Sequence, residues 1–376
     1  MNNAPQVKGW CPGALSPMMS GDGLVVRVRP FNGRLRRAQA DGLATLAAAH
    51  GNGLLDLSSR CNIQLRGVSA ASHPAILEGL SRMGLLDPNA AIEARRNVMV
   101  TPFWQTGDET EALVTALSDA LASGDAPEIP NKFGFAVDTG RAPVLQNASA
   151  DVRLERSADG DLILVAEGSD TGKPVTRQTA VTEALALAQW FLASRSDERR
   201  MSALLANGKP VPSGHNVKRQ SQTYVPVPGP TPLGALVGFA FGQLQVQTLS
   251  SLAKHGGLRM TPWRMVLVES AQELPDIDGL ITDAADPLLR VVACTGAPRC
   301  PQGFIETRPL ARALSARIPM GELCHVSGCA KGCAHPKIAQ LTVTGRPDGL
   351  SLIRNGSADD LPAQTGLSLS DIIKAI

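Results

Sequence analysis

Five of the seven cysteines in this 376-residue chain fall within forty residues: Cys294, Cys300, Cys324, Cys329 and Cys333. The run LLRVVACTGAPRCPQG sets Cys294 and Cys300 in a C-x5-C step, and LCHVSGCAKGCAHP sets Cys329 and Cys333 in a C-x3-C step. Soft thiolates on Gly-rich loops suit an iron–sulfur cluster, which takes four cysteine ligands. Gly296, Gly328 and Gly332 let backbone N–H groups approach the sulfurs, while Pro301 and Pro336 stiffen the loop exits. Zinc ribbons use shorter C-x2-C knuckles and fit this spacing poorly. Cys324 is offset from the paired pattern; it could stand in for a neighbouring ligand, but packing is its expected role. The N-terminus, MNNAPQVKGWCPG, shows no basic-then-apolar leader pattern. A cysteine cluster in that context points to metal or redox chemistry rather than a disulfide framework.

The other chemically suggestive residues are cations. Residues 1–100 hold ten Arg and one Lys against six acids, although the whole chain carries a net charge of only +2. Arg forks match carboxylates and phosphates. A solvated face laced with salt bridges would give the same surplus, and charge alone does not decide between them. His325 and His335 flank the cysteine loops, where hydrogen bonding to a sulfur or loop capping is expected. His50 and His255 stand at matching helix ends and suit a C-terminal dipole role. No G-x-G-x-x-G joins a strand to a helix and no Walker loop occurs, so a nicotinamide site within the chain is not expected.

The elements that must hold these residues repeat. GDGLVVRVRP reads as a strand, NGRLRRAQADGLATLAAAHGNG as a helix closed by glycines, and LLDLSSRCNIQLRGV as a strand. PLGALVGFAFG, QLQVQTLSSLAKHGG and LRMTPWRMVLV repeat that order, with LAAAHGNGL echoed by LAKHGGL. LERSADGDLILVAEG and TVTGRPDGLSLIRNG both read as hairpins with D-G turns, each followed by a helix. The stretch 201–231, rich in Pro, Gly and Ser, reads as a linker.

Composition narrows the class. Hydrophobic residues at 43% support packed cores, and aromatics at 3% disfavour recognition of nucleic acid by base stacking. The longest apolar stretch, around Leu233 to Phe241, is too short for a bilayer span, so a cytoplasmic protein without membrane or nucleic-acid partners is expected.

C-x5-C followed by S-G-C-x-x-G-C resembles the siroheme and [4Fe–4S] signature of the assimilatory sulfite and nitrite reductases. Leu57-Ser58-Ser59-Arg60-Cys61-Asn62-Ile63-Gln64-Leu65 resembles their T-T-R-Q-N-x-Q strand, Arg95-Arg96-Asn97-Val98 their R-N-V segment, and Asn131-Lys132-Phe133 their R-K-F segment. The resemblance spans nearly the whole chain. It implies an α+β fold with duplicated sulfite/nitrite reductase-like architecture. Two ferredoxin-like half-domains (1–85 and 232–282) and two cluster- or tetrapyrrole-binding half-domains (86–200 and 283–376) would surround a pseudo-twofold axis. It also implies Cys294, Cys300, Cys329 and Cys333 as ligands of a [4Fe–4S] cluster.

Several positions depart from the reductases. Gly134 replaces the second cation of K-x-K, Cys61 replaces the Gln of T-T-R-Q, and Thr261-Pro262-Trp263-Arg264 replaces an amide-rich strand. These departures, with Cys11-Pro12-Gly13 and the Met18–Gly23 segment, are similar to the precorrin-3B synthase branch of the family. That resemblance implies a mono-oxygenase of aerobic cobalamin biosynthesis. Such an enzyme hydroxylates precorrin-3A at C20 using O2, with γ-lactone formation. It implies a [4Fe–4S] cluster, a non-haem iron and a separate reductase or ferredoxin as electron donor. Siroheme is expected only on the alternative reading, a sulfite or nitrite reductase. A polycarboxylate tetrapyrrole suits an Arg-rich partner, which makes Arg60, Arg96 and Lys132 candidate catalytic cations. Arg27, Arg29, Arg66 and Arg264 are candidate substrate-binding residues, and each of the seven could instead be a structural ion pair. No ligands for a non-haem iron are evident.

Overall fold

The computed structural model describes residues 12–271, 273 and 276–376; Cys11 lies outside them. Among these residues four sheets form two pairs with the same plan. The first ferredoxin-like sheet runs Met18–Ser20, Gly23–Val28, Ile63–Val68, Leu54–Leu57 and then Gln243–Gln245, a strand from the second half. Its counterpart runs Gly229–Thr231, Gly234–Phe239, Met265–Glu269, Leu258–Met260 and then Arg34–Leu35, a strand from the first half. Each half therefore lends its partner an edge strand. Leu258 pairs with Leu35 and Leu244 with Leu55, so the backbone groups that would leave an open edge are satisfied across the axis.

Helices Arg37–His50 and Val246–His255 pack together above these sheets. Arg37 donates from Nε to the Ala253 carbonyl at 2.9 Å and from Nη2 to the Lys254 carbonyl at 2.7 Å, covering carbonyls at the end of the second helix. His50 and His255 are the last residues of their helices. Leu43, Leu55, Leu65, Val237, Leu249 and Val266 belong to one buried core shared by both halves.

LLDLSSRCNIQLRGV and LRMTPWRMVLV are not single strands. Each folds as an antiparallel pair, Leu54–Leu57 with Ile63–Val68 and Leu258–Met260 with Met265–Glu269. The physical reason lies in the intervening residues. Ser-Ser-Arg and Thr-Pro-Trp offer little apolar surface to pair or lack a donor. The next residue, Cys61 or Arg264, then takes a positive φ of 56° or 60° that turns the chain back.

The other two sheets repeat a β-α-β-β-β order. Val98–Val100, Phe135–Asp138 and Val152–Arg156 are parallel, as are Val291–Ala293, Cys324–Ser327 and Ala339–Arg346. Each parallel set continues into an antiparallel hairpin, ending at Leu162–Ala166 and Gly349–Gly356. Helices Glu109–Ala122 and Thr307–Ser315 make the crossovers. The stretch 201–231, expected as a linker, contains more structure than its composition suggests. Helix Met201–Ala206 buries Met201 and Leu204, and Val217–Lys218 adds an edge strand beside Thr171–Pro174. No helix among the described residues is long and apolar enough to cross a membrane.

Candidate functional site

The two loops that follow parallel strands in the C-terminal sheet meet each other. Cys294 follows Val291–Ala293 directly, and Cys329 lies just beyond Cys324–Ser327. The loops are tied reciprocally. Gly328 N–H donates to Cys294 Sγ at 3.2 Å, Phe304 N–H to the Gly328 carbonyl at 2.8 Å, and Thr307 Oγ1 to the Cys294 carbonyl at 2.6 Å. Ser327 Oγ donates to the Cys329 carbonyl at 2.7 Å, and Cys300 N–H to the Gly296 carbonyl at 2.7 Å. A side chain at Gly328 would press on the Gly296 and Gly303 backbones at 3.3 Å and on Cys294 Sγ at 3.5 Å. Glycine is thus the residue that lets the loops close.

Cys294, Cys300, Cys329 and Cys333 all line one cleft of about 400 Å³. Cys324 points away from it: it is fully buried in the C-terminal core, and burial pushes its thiol up to about 12. Cys61 is likewise buried and raised by burial. For Cys333, burial pushes the thiol up, Lys331 pulls it down, and Cys294, Cys329 and Cys300 push it up again. Cys329 is raised by burial, opposed by the Lys331 backbone N–H, and raised further by Cys300 and Cys294. Among the described residues, no three His, Cys, Asp or Glu side chains converge on a single ion.

The opposite wall belongs to the first ferredoxin-like sheet and supplies Arg27, Asp56, Gln64 and Arg66; Arg264, Arg308 and Phe241 close the side. Arg27 Nη2 donates to Gln64 Oε1 at 3.3 Å. Arg66 is clamped by Asp22 at 2.6 Å, with Asp56 at 3.6 Å. Arg264 donates from Nη2 to the Ala334 carbonyl at 2.8 Å, which joins it to the second cysteine loop. Burial lowers its pKa, Asp56 opposes that, and Arg308 adds to it.

Three of the predicted substrate-binding residues, Arg27, Arg66 and Arg264, are therefore brought to the cleft. Arg29 is not: it is buried against Glu93, 3.6 Å away, beside a separate cavity. Burial lowers its pKa to about 10 despite Glu93. Arg60, Arg96 and Lys132 do not line the cleft either. Arg96 is buried in a two-pronged pair with Asp87 at 2.7 and 2.8 Å, its guanidinium 3.9 Å from the Phe31 ring centroid. Arg60 donates to the Lys132 carbonyl at 3.1 Å, and the Lys132 side chain is exposed. Sequence reasoning missed Asp56, Gln64, Lys331 and Arg308. An acid inside the apolar run LLDL was the available signal for Asp56.

His325 is buried in its strand with neither ring nitrogen hydrogen-bonded among the described residues. Burial lowers its pKa to about 4, so it is neutral in the fold. Its ring meets His335 edge-on at 5.8 Å.

Residues 16–83 match the family model described as the nitrite/sulfite reductase ferredoxin-like half domain. A precorrin-3B synthase from Sinorhizobium is 30% identical, over 95% of this chain and 84% of its own length. A ferredoxin–nitrite reductase from Synechococcus elongatus is 25% identical, over 86% of this chain and 77% of its own. The solved structure of the Mycobacterium tuberculosis NirA protein superposes with a TM-score of 0.57 at 16% identity, covering 86% of this chain and 71% of that one. That last likeness speaks for the fold alone.

Proposed function

The chain belongs to the nitrite/sulfite reductase-like family that includes precorrin-3B synthase, and from that premise we propose that it forms precorrin-3B by hydroxylating precorrin-3A at C20. One atom of O2 enters the macrocycle. The other leaves as water, with two electrons drawn from a separate reductase or ferredoxin and two protons from the solvent. The ring A acetate then closes as a γ-lactone.

The observation that carries this reading is the cleft in which four cysteines face an Arg-lined wall. Cys294, Cys300, Cys329 and Cys333 fit a [4Fe–4S] cluster, which when bound supplies single electrons to the cleft. No ligand set for a mononuclear iron forms among the described residues. Arg27 and Arg264 would hold substrate carboxylates, Lys331 adds a cation beside the sulfurs, and Phe241 offers apolar surface to a ring face. Arg66, clamped by Asp22, contributes charge with less freedom to move. The two mutually bonded cysteine loops fix the distance between the sulfurs and this wall. Positioning a bulky substrate is the part of the work that these residues do.

Incubation with precorrin-3A, a reductant and isotopically labelled O2 tests the reading. Label in precorrin-3B supports it, and label arriving only from water sinks it. Stoichiometric extractable siroheme, with nitrite or sulfite reduced by reduced viologen, would assign the chain to the reductase branch instead.

A further inference from the structure

Arg308 is a cleft guanidinium whose hydrogen bonding is incomplete. It follows the first cysteine loop, one residue into the helix Thr307–Ser315. Its Nη2 donates to Asp56 Oδ1 at 2.9 Å, a contact between the two halves of the chain. Its Nε and Nη1 are buried and meet no acceptor. Three of its five N–H groups are therefore withdrawn from water without compensation, a state that persists where an incoming acceptor completes it.

The surrounding charges point the same way. Arg264 lies within electrostatic reach of both Arg308 and Asp56. Asp56 is shared, with Arg66 Nε at 3.6 Å and Gln243 Nε2 donating to it at 3.2 Å. Asp22 is taken up by Arg66 at 2.6 Å. Arg66 answers Asp22 and Arg308 answers Asp56, while Arg27, Arg264 and Lys331 also line the cleft, so positive charge is in excess there. Arg308 itself is only 14% exposed, so water and salt screen it weakly.

We propose that Arg308, together with Arg264, forms a seat for one carboxylate, and that in turnover this carboxylate is a side chain of the tetrapyrrole substrate. The planar guanidinium fork suits a carboxylate, and Asp56 anchors Arg308 in the wall of the cleft. This identification of the ligand rests on the proposed function; the anion seat itself rests on the unfilled hydrogen bonds of Arg308 and on the one cleft that Arg264 and Arg308 both line.

The test is a tryptophan-fluorescence titration of cluster-loaded protein with uroporphyrin, a macrocycle bearing carboxylates, and with its methyl ester, in which they are neutralised. Arg308→Gln should weaken uroporphyrin binding about 10- to 100-fold, the loss of charge-assisted hydrogen bonds. Arg264→Gln should weaken it in the same direction. Arg308→Lys, which keeps the charge and loses the fork, should fall between. None should change the affinity for the ester. Equal uroporphyrin affinity in the wild type and Arg308→Gln overturns the seat while leaving macrocycle binding intact. A changed cluster reduction potential with unchanged affinity also overturns it, by assigning the free edge of Arg308 to the cluster. If the wild type binds neither macrocycle, the tetrapyrrole reading fails, and sulfate decides the seat. A rise in Tm with sulfate that Arg308→Gln abolishes keeps an anion site, and no rise removes it.

Discussion

Cys61 and Arg264 occupy the same backbone corner in the two halves of the molecule. Each closes the turn of a β-hairpin with a left-handed φ, 56° and 60° respectively. The shared strain identifies the positions as equivalent, and their surroundings separate the roles. Cys61 is buried among apolar side chains of the common core, whereas Arg264 lines the cysteine cleft and bonds the Ala334 carbonyl. Duplication supplied two copies of one corner, and only the second carries a charge to the site.

The cysteines divide by what surrounds them. Replacing Cys294, Cys300, Cys329 or Cys333 with Ser should abolish cluster absorption and lower iron and sulfide per chain. Cys61→Ser and Cys324→Ser should retain the cluster, at a stability cost from placing a hydroxyl in an apolar core. Cys11, outside the described residues, should also be dispensable. Loss of the cluster in Cys324→Ser with retention in Cys329→Ser would overturn the ligand assignment.

The glycines of the loops give a graded test. A Cβ on Gly296, at φ 66°, would come within 2.6 Å of Thr307 Oγ1 and 2.8 Å of the Ile305 carbonyl. Gly53, at φ 77°, has open space around the same position. Gly53→Ala should cost only the backbone strain, roughly 1–2 kcal/mol, and keep its iron. Gly296→Ala should lose iron during purification as well as stability. Iron per chain, measured beside urea unfolding, separates the two effects.

Glu269 joins the halves electrostatically. Its Oε2 takes Arg34 at 2.7 Å and its Oε1 takes Arg259 at 2.6 Å. Arg259 also donates to the Pro102 carbonyl at 2.9 Å and lies 4.2 Å from the Trp104 ring centroid. Glu269→Ala takes the carboxylate from the buried Arg259 and from the partly exposed Arg34, and should destabilise the fold by about 3 kcal/mol, the low end for a buried pair. Glu269→Gln, which keeps an acceptor, should cost less. Equal unfolding midpoints for Glu269→Ala and the wild type would show that the pair contributes nothing.

Asp138 predicts a pH dependence. Burial raises its carboxyl to about 6, against N–H donors from Leu145 and Val144 that lower it; Glu155 raises it and Arg153 lowers it. Between pH 4 and 6 the folded state holds a proton that the unfolded chain has released. This group's contribution to stability therefore falls as pH rises through that window, by roughly 3 kcal/mol in all. Asp138→Asn should remove the decline, so its stability relative to wild type should grow from pH 4 to 7 in urea unfolding. A constant difference across that range would sink the prediction.

Much of the architecture was readable from the chain itself because its signals are local. The two helices closed by glycines, the paired hairpins and the C-x5-C and C-x3-C steps depend on neighbours a few residues apart, and the fold follows them. The hairpin corners were less legible, since a left-handed φ at Cys61 or Arg264 leaves no mark in residue type. The destination of each arginine was less legible still. Arg96 found Asp87 and left the site, while Arg308 found Asp56, 252 residues away, and entered it. A guanidinium goes where a carboxylate or carbonyl completes its hydrogen bonds, and the tertiary packing of the two halves decides which acceptors come within reach.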